Sequence, residues 1–499
     1  MKSKAVSQSE EQRLLSAVLS SGFFVGVGVI FGSAFEAGAS LDVVPGVIVF
    51  VGLTLLALVM ANTSTLSLLP RFLIGLYALP FSALLGYFFN PDFAWIFTPR
   101  GYEIIQDRVV VREMIAIGTV GLCGLAAGVR AAAYKAEPEN RIMMKASQPP
   151  QTLGSVVFVG LVVTSVVLSW LSSPQETLFQ KAYMTDQAAT AATRINFPAA
   201  SLLSYILLVA LAVDIERDRD AASRRKKVLT LGLGVAYVVV VFQLLRGDRE
   251  SSGLIVALAA LYLTSPLRKT TRADSFAAIR KRIRRLTLPL LSAAVVYVWL
   301  GGARSLLIAG AESIGPMAML QFGLSQNTWT AVLWRNLGTA WEYRHGLIHY
   351  KLGQTYLDYL LSLPPGFVTK AFGVDRPLEA WQGIAYEDPA GISAGGLHVV
   401  IAPFKNFGIA GALCVLFIYG WIGGYLDILN SRGSLAARLL WAATLCSGFL
   451  WFWYGDMPFI RAIMIAVAIY WMYRVAISLR WGPRIGLVPP RHSPPATQQ

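Results

Sequence analysis

Apolar residues along this chain do not alternate with polar ones; they run on for about 20 positions at a time, separated by short polar or basic punctuation. A helix apolar on every face has no side to offer water, and about 20 such residues at 1.5 Å each span the hydrocarbon layer of a bilayer. Such stretches stand at 14–35, 44–61, 72–89, 114–133, 153–171, 198–213, 228–245, 253–265, 286–303, 408–429, 438–454 and 459–479. The pattern predicts an all-α, polytopic membrane protein with about twelve transmembrane helices. The run at 253–265 is short for a full crossing and requires a thinned bilayer or re-entrant ends.

The rhythm lapses for longest between 303 and 408. The chain therefore divides into 1–303, the first spans with their short loops; 304–407, one large segment outside the membrane; 408–479, the last spans; and 480–499, a Pro-, Gln- and Ser-rich tail expected to be disordered. Within the large segment, 352–361 reads as an amphipathic surface helix, and Leu363-Pro364-Pro365-Gly366-Phe367 as a break between helical pieces.

Basic residues set the orientation, because Lys and Arg in short loops are retained in the cytoplasm. Loop 266–285 carries eight basic residues against one acidic. With that loop inside, both termini are inside, as are Arg130, Lys135, Arg141, Lys145, Arg224, Arg225, Lys226 and Lys227. The outer segments become 90–113, 172–197, 246–252 and 304–407. The first apolar run is long and follows a polar start containing Glu10, Glu11 and Arg13, so it is expected to insert without cleavage.

Composition agrees with this class: 55% of residues are hydrophobic, only 14% are charged, and the mean hydropathy is +0.55. The net charge of +15 resides mainly in inner loops, where topology and anionic headgroups account for it without a nucleic-acid partner. Cys123, Cys414 and Cys446 all fall in apolar spans, so no disulfide staples the large outer segment. That segment must be ordered by packing on the membrane helices, which are themselves expected to be nearly free of charge.

Several chemistries are excluded. His345 and His349, four apart, share one face if they lie on a helix, but Gly346 stands where a zinc protease needs its general-base Glu. Asp218-Arg219-Asp220 sits in a mixed-charge inner loop, where local ion pairing explains it. Phosphate-cradling, dinucleotide and Gly-x-Ser-x-Gly motifs are missing. No metal or cofactor is expected.

Chemistry-bearing side chains concentrate outside. Arg249, Arg304, Arg335, Arg344 and Arg376 supply guanidinium forks suited to pyrophosphate oxygens. Trp341, Tyr356 and Trp381, among many outer aromatics, offer faces for sugar rings or anchors for an interfacial belt. His345, His349 and His398 are the outer histidines, with Glu379 or Glu387 as carboxylate alternatives for moving a proton.

The order of motifs resembles the O-antigen polymerases and related oligosaccharide repeat-unit polymerases. Gly247-Asp248-Arg249 forms a short outer turn, Leu363-Pro364-Pro365 lies in the late outer segment, and Gly395-Gly396-Leu397-His398 leads into Asn406-Phe407-Gly408-Ile409-Ala410-Gly411. Arg335 is followed after ten residues by Gly346, a spacing of that family. The resemblance covers roughly 245–430. It departs at Ala402, where many members carry Glu.

The resemblance implies a lipid-donor, GT-C-like, metal-independent glycosyltransferase of the bacterial inner membrane with its site facing the periplasm. The implied reaction moves a growing glycan from undecaprenyl pyrophosphate to the terminal sugar of an incoming lipid-linked repeat unit, for lipopolysaccharide. Implied partners are that lipid-linked oligosaccharide, membrane lipids and a chain-length regulator protein. An O-antigen ligase, acting on lipid A core, shares donor and architecture; a flippase for the lipid-linked oligosaccharide is the alternative from another class. On the implied roles, His345, His349, His398 and Glu379 move the proton, Arg249, Arg304, Arg335, Arg344 and Arg376 meet the pyrophosphate, and Trp341, Tyr356 and Trp381 meet the sugar.

Overall fold

The computed structural model describes residues 2–61, 67–82, 84, 99–134, 160–167, 200–217, 221–240, 252–264, 328–361, 372–373, 397–431 and 435–480. Among them the regular elements are helices: α1 (Lys2–Glu36), α2 (Val43–Met60), α3 (Leu68–Ala78, running into a 3₁₀ turn Leu79–Ser82), α4 (Pro99–Gln106), α5 (Arg108–Tyr134), α6 (Ala200–Arg217), α7 (Ala221–Tyr237), α8 (Ser252–Thr264), α9 (Thr328–Arg344), α10 (Gln354–Leu361), α11 (Ile401–Ser431), α12 (Leu435–Tyr454) and α13 (Asp456–Arg480). Hydrocarbon forces this choice, since a spanning segment must satisfy its backbone polar groups internally. Leu14–Glu36, α2, α5 and α11 are long and apolar enough to cross a membrane, and shorter apolar helices lie at Leu68–Ser82, Leu202–Ile215 and Phe459–Met472. The architecture is that of an all-helical membrane protein. The span expected at 286–303, the loop 266–285 and most of 153–171 lie outside the described residues.

Helix α5 is the hub. Nearly every residue from Val110 to Ala132 is buried, as expected of a helix apolar all round, and α1, α2, α9 and α11 pack on it. Asp107 caps its start, accepting from Val109 N at 2.9 Å and Val110 N at 3.4 Å. Gly124 and Gly128, four apart, let α11 approach backbone to backbone: a Cβ at either would strike the Leu413 or Phe417 carbonyl, and one at Gly420 would strike that of Leu125. Small residues in this spacing are the device by which membrane helices make close contact without a hydrophobic driving force between them.

The contacts sort the helix ends into two groups. At one end Arg130 donates to Ser20 Oγ (2.7 Å) and the Met60 carbonyl (2.8 Å). Asp214 there lies between Lys227 (2.8 Å) and Arg438 (2.5 Å), all three at most 3% exposed, stitching α6, α7 and α12 together. Asp427 accepts from the Trp441 indole at 3.0 Å and faces the amide of Leu69 at the start of α3. The expectation of nearly charge-free helices is thus corrected: Arg130, Asp214, Lys227, Asp427 and Arg438 are buried at the end carrying Arg224, Arg225 and Lys226, where they are paired or hydrogen-bonded, and further charges are buried at the opposite end.

The opposite end receives the segment that the sequence places outside. Helix α9 packs against α4, α5 and the 3₁₀ turn, and α10 against α11. The large segment is therefore folded onto the bundle without a disulfide, by packing and polar contacts, as far as its described residues go. Its boundary shifts: helix α11 begins at Ile401, and position 408 is a kink within it, with Phe407 (φ −132°, ψ 15°) and Gly408 (φ 66°, ψ −154°) non-helical.

Candidate functional site

The loop end is built from three pieces: α9, the turn 345–353 and the segment 397–408. Helix α9 turns a polar stripe inward, for Arg335, Asn336, Thr339 and Glu342 are all buried. Glu342 meets Lys405 at 2.7 Å, the two side chains 3% and 5% exposed. Asn336 lines a small cavity with Phe81, Met114, Ile117, Thr339, Val400, Ile401 and Phe404.

Asn406-Phe407-Gly408 works as a clasp. The kink frees the carbonyls of Lys405 and Asn406, which accept from Lys351 N and Leu352 N at 3.1 Å each. The Asn406 side chain donates to the Ala402 carbonyl (2.7 Å) and accepts from Gly353 N (3.0 Å). Gly408 has a conformation essentially confined to glycine. This motif holds the outer turn 351–353 against α11.

Gly346 has an equally local explanation. With φ 66° it ends α9, its N–H bonding the Tyr343 carbonyl (3.0 Å) while Leu347 N reaches Glu342 (2.9 Å), the paired bonds of a Schellman stop. Because α9 ends at Arg344, His345 and His349 do not share a helical face, which corrects that expectation. Both are exposed. His345 Nδ1–H donates to the Trp341 carbonyl at 2.8 Å, and its ring lies 4.2 Å from that indole, leaving Nε2 directed elsewhere.

Arg335 and Arg344 do not converge. Nine residues on one helix separate them by about 13 Å along its axis and by half a turn around it. Arg335 is 2% exposed, whereas the Arg344 side chain is 54% exposed and stands 3.9 Å from Glu113. His398 is wholly buried, donating through Nε2 to the Tyr77 carbonyl at 3.0 Å between the rings of Tyr77 and Phe81. Burial drives its pKa down to about 4, so it is a neutral tie between the 397–400 turn and α3. It stands apart from the exposed group around Arg344.

Trp341 is half-buried under His345, and Tyr356 lies parallel to Phe407 with centroids 6.2 Å apart. Leu352, Leu357, Leu360 and Leu361 are exposed on the 352–361 segment, matching its expected amphipathic character. Arg249, Arg304, Arg376, Trp381, Glu379 and Glu387 lie outside the described residues. No group of three or more metal-ligating side chains occurs among the described residues.

What the sequence reading passed over is Glu113. It closes the outer segment 90–113, immediately before a predicted span, and a carboxylate at that border was the available signal. Among the described residues, Arg344, His345 and Glu113 form a polar grouping at the loop end that reaches the surface through Arg344 and His345. Compared with known protein families, characterised proteins and solved structures, the chain matches none.

Proposed function

We propose that this protein is a polytopic glycosyltransferase with about twelve spans and a GT-C-like arrangement. It lengthens a glycan by moving it from undecaprenyl pyrophosphate to the terminal sugar hydroxyl of an incoming lipid-linked repeat unit. It works in the bacterial inner membrane with its site facing the periplasm. The observation that carries the reading is the docking of α9 on the end of the bundle opposite the basic residues, which sets exposed Arg344 and His345 beside Glu113 at the margin of an apolar helix bundle. A lipid-anchored pyrophosphate needs a cation at the depth of its headgroup and hydrocarbon beneath it. The apolar side chains of 352–361 lie along the same end.

Arg344 is the described residue suited to the pyrophosphate; Arg335, buried on the far face of α9, supports that helix from within. Asp214, Lys227 and Arg438, buried at the basic end, pair with one another, which favours an enzyme over a flippase needing charge along a central path. The test is the purified protein in lipid nanodiscs with an undecaprenyl-pyrophosphate-linked repeat unit. Longer lipid-linked glycans and released undecaprenyl pyrophosphate are expected. Arg344→Lys should lose nearly as much activity as Arg344→Ala, because lysine keeps the charge but not the planar fork. Transfer only to lipid A core would replace this reading with a ligase, and substrate translocation without new glycosidic bonds would replace it with a flippase.

A further inference from the structure

Glu113 stands near the loop end of α5 with 10% of its side chain exposed, and Arg344 reaches its Oε1 from the end of α9 at 3.9 Å. The other oxygen, Oε2, is buried and makes no hydrogen bond among the described residues. A carboxylate held in an apolar bundle is ordinarily bound by hydrogen bonds that offset its desolvation. This one keeps an unused acceptor. Ionisable groups facing it are Arg344, His345 and Tyr343 from the end of α9, and Arg112 and Asp107 from its own stretch of chain. The covering side chain is the more exposed member of the pair, 54% against 10%.

We infer that Glu113 takes the proton from the acceptor hydroxyl, a role that rests on the glycosyl-transfer reading above. Arg344 covers the carboxylate until donor arrives. A pyrophosphate presents more negative charge than one carboxylate and matches the guanidinium fork, so it draws Arg344 outward and uncovers Glu113. The sugar hydroxyl then gives its proton to Glu113 as its oxygen bonds to the anomeric carbon of the donor glycan. The bond from that carbon to the pyrophosphate oxygen breaks, and undecaprenyl pyrophosphate leaves with the electron pair, its charge met by Arg344. Glu113 afterwards releases the proton to water.

The experiment uses the full-length protein in nanodiscs with the undecaprenyl-pyrophosphate-linked repeat unit. Glu113→Gln keeps the shape and removes the basic oxygen, so kcat should fall about a hundredfold to ten-thousandfold. Donor KM should not rise, because the substitution also frees Arg344 from the carboxylate it covers, and the low-pH limb of the wild-type rate profile should disappear. Arg344→Ala should instead raise donor KM. Undiminished turnover by Glu113→Gln beside an active wild type overturns this inference and leaves the glycosyl-transfer reading standing; no polymer from folded wild type overturns both. Should Glu113→Gln not fold, Glu113→Asp decides: a displaced low-pH limb supports the proton transfer, and an unchanged profile rejects it.

Discussion

Lys405 and Glu342 form a 2.7 Å ion pair with their side chains only 5% and 3% exposed, one residue from the kink of α11 and the other from the last turn of α9. The pair joins the outer helix to the membrane bundle at the same place where Asn406 clasps the 351–353 turn.

Breaking that pair from one side should strand a buried charge. Lys405→Met or Glu342→Leu alone is expected to destabilise the fold by about 3–5 kcal/mol, whereas the double replacement recovers most of the loss. Thermal unfolding in detergent, followed by circular dichroism, measures all three. A double variant as unstable as either single one would show that the pair does not join the two helices.

The crossing of α5 and α11 depends on bare backbone. Gly124→Leu and Gly128→Leu drive a side chain into the Leu413 and Phe417 carbonyls, so both variants should aggregate on size-exclusion chromatography in mild detergent. Gly52→Leu is the control, because a Cβ there meets no atom within 4 Å. Monodisperse Gly128→Leu protein would mean that the two helices do not touch there.

His398 predicts a pH dependence of stability. Its folded pKa, about 4, lies below the ordinary histidine value of 6.5, so between these values the unfolded chain binds a proton that the native protein does not. Stability from this group therefore rises with pH from about 4 to about 6.5 and is level above, an effect of roughly 3 kcal/mol across the window. Denaturation midpoints measured from pH 4 to 7 should flatten in His398→Gln. An identical slope in wild type and variant would assign the dependence to other groups.

Much of the site was legible as composition but not as arrangement. Arg344 and His345 are readable as polar residues at the end of a helical stretch, immediately before the helix-stopping Gly346 of the large segment. Arg335 looks the same in the sequence, yet nine residues along α9 place it on the buried face. His398 beside Gly395-Gly396 reads as an outer base, and becomes a wall residue because Tyr77, distant in sequence, presents a carbonyl to it. The Arg335-to-Gly346 spacing and the Asn406-Phe407-Gly408 run carry local explanations, a helix stop and a strained clasp, that only backbone angles disclose.

The sequence by itself determined the class of this protein, because long apolar runs have one stable form in hydrocarbon, the helix, and that choice requires no knowledge of neighbours. Tertiary structure alone decided that α5 is the hub, that α11 starts at Ile401 before its kink, and that Glu113 meets Arg344. Those outcomes depend on which glycines face one another and which carbonyls go unsatisfied at a kink, and such relations join residues hundreds of positions apart that no local pattern connects.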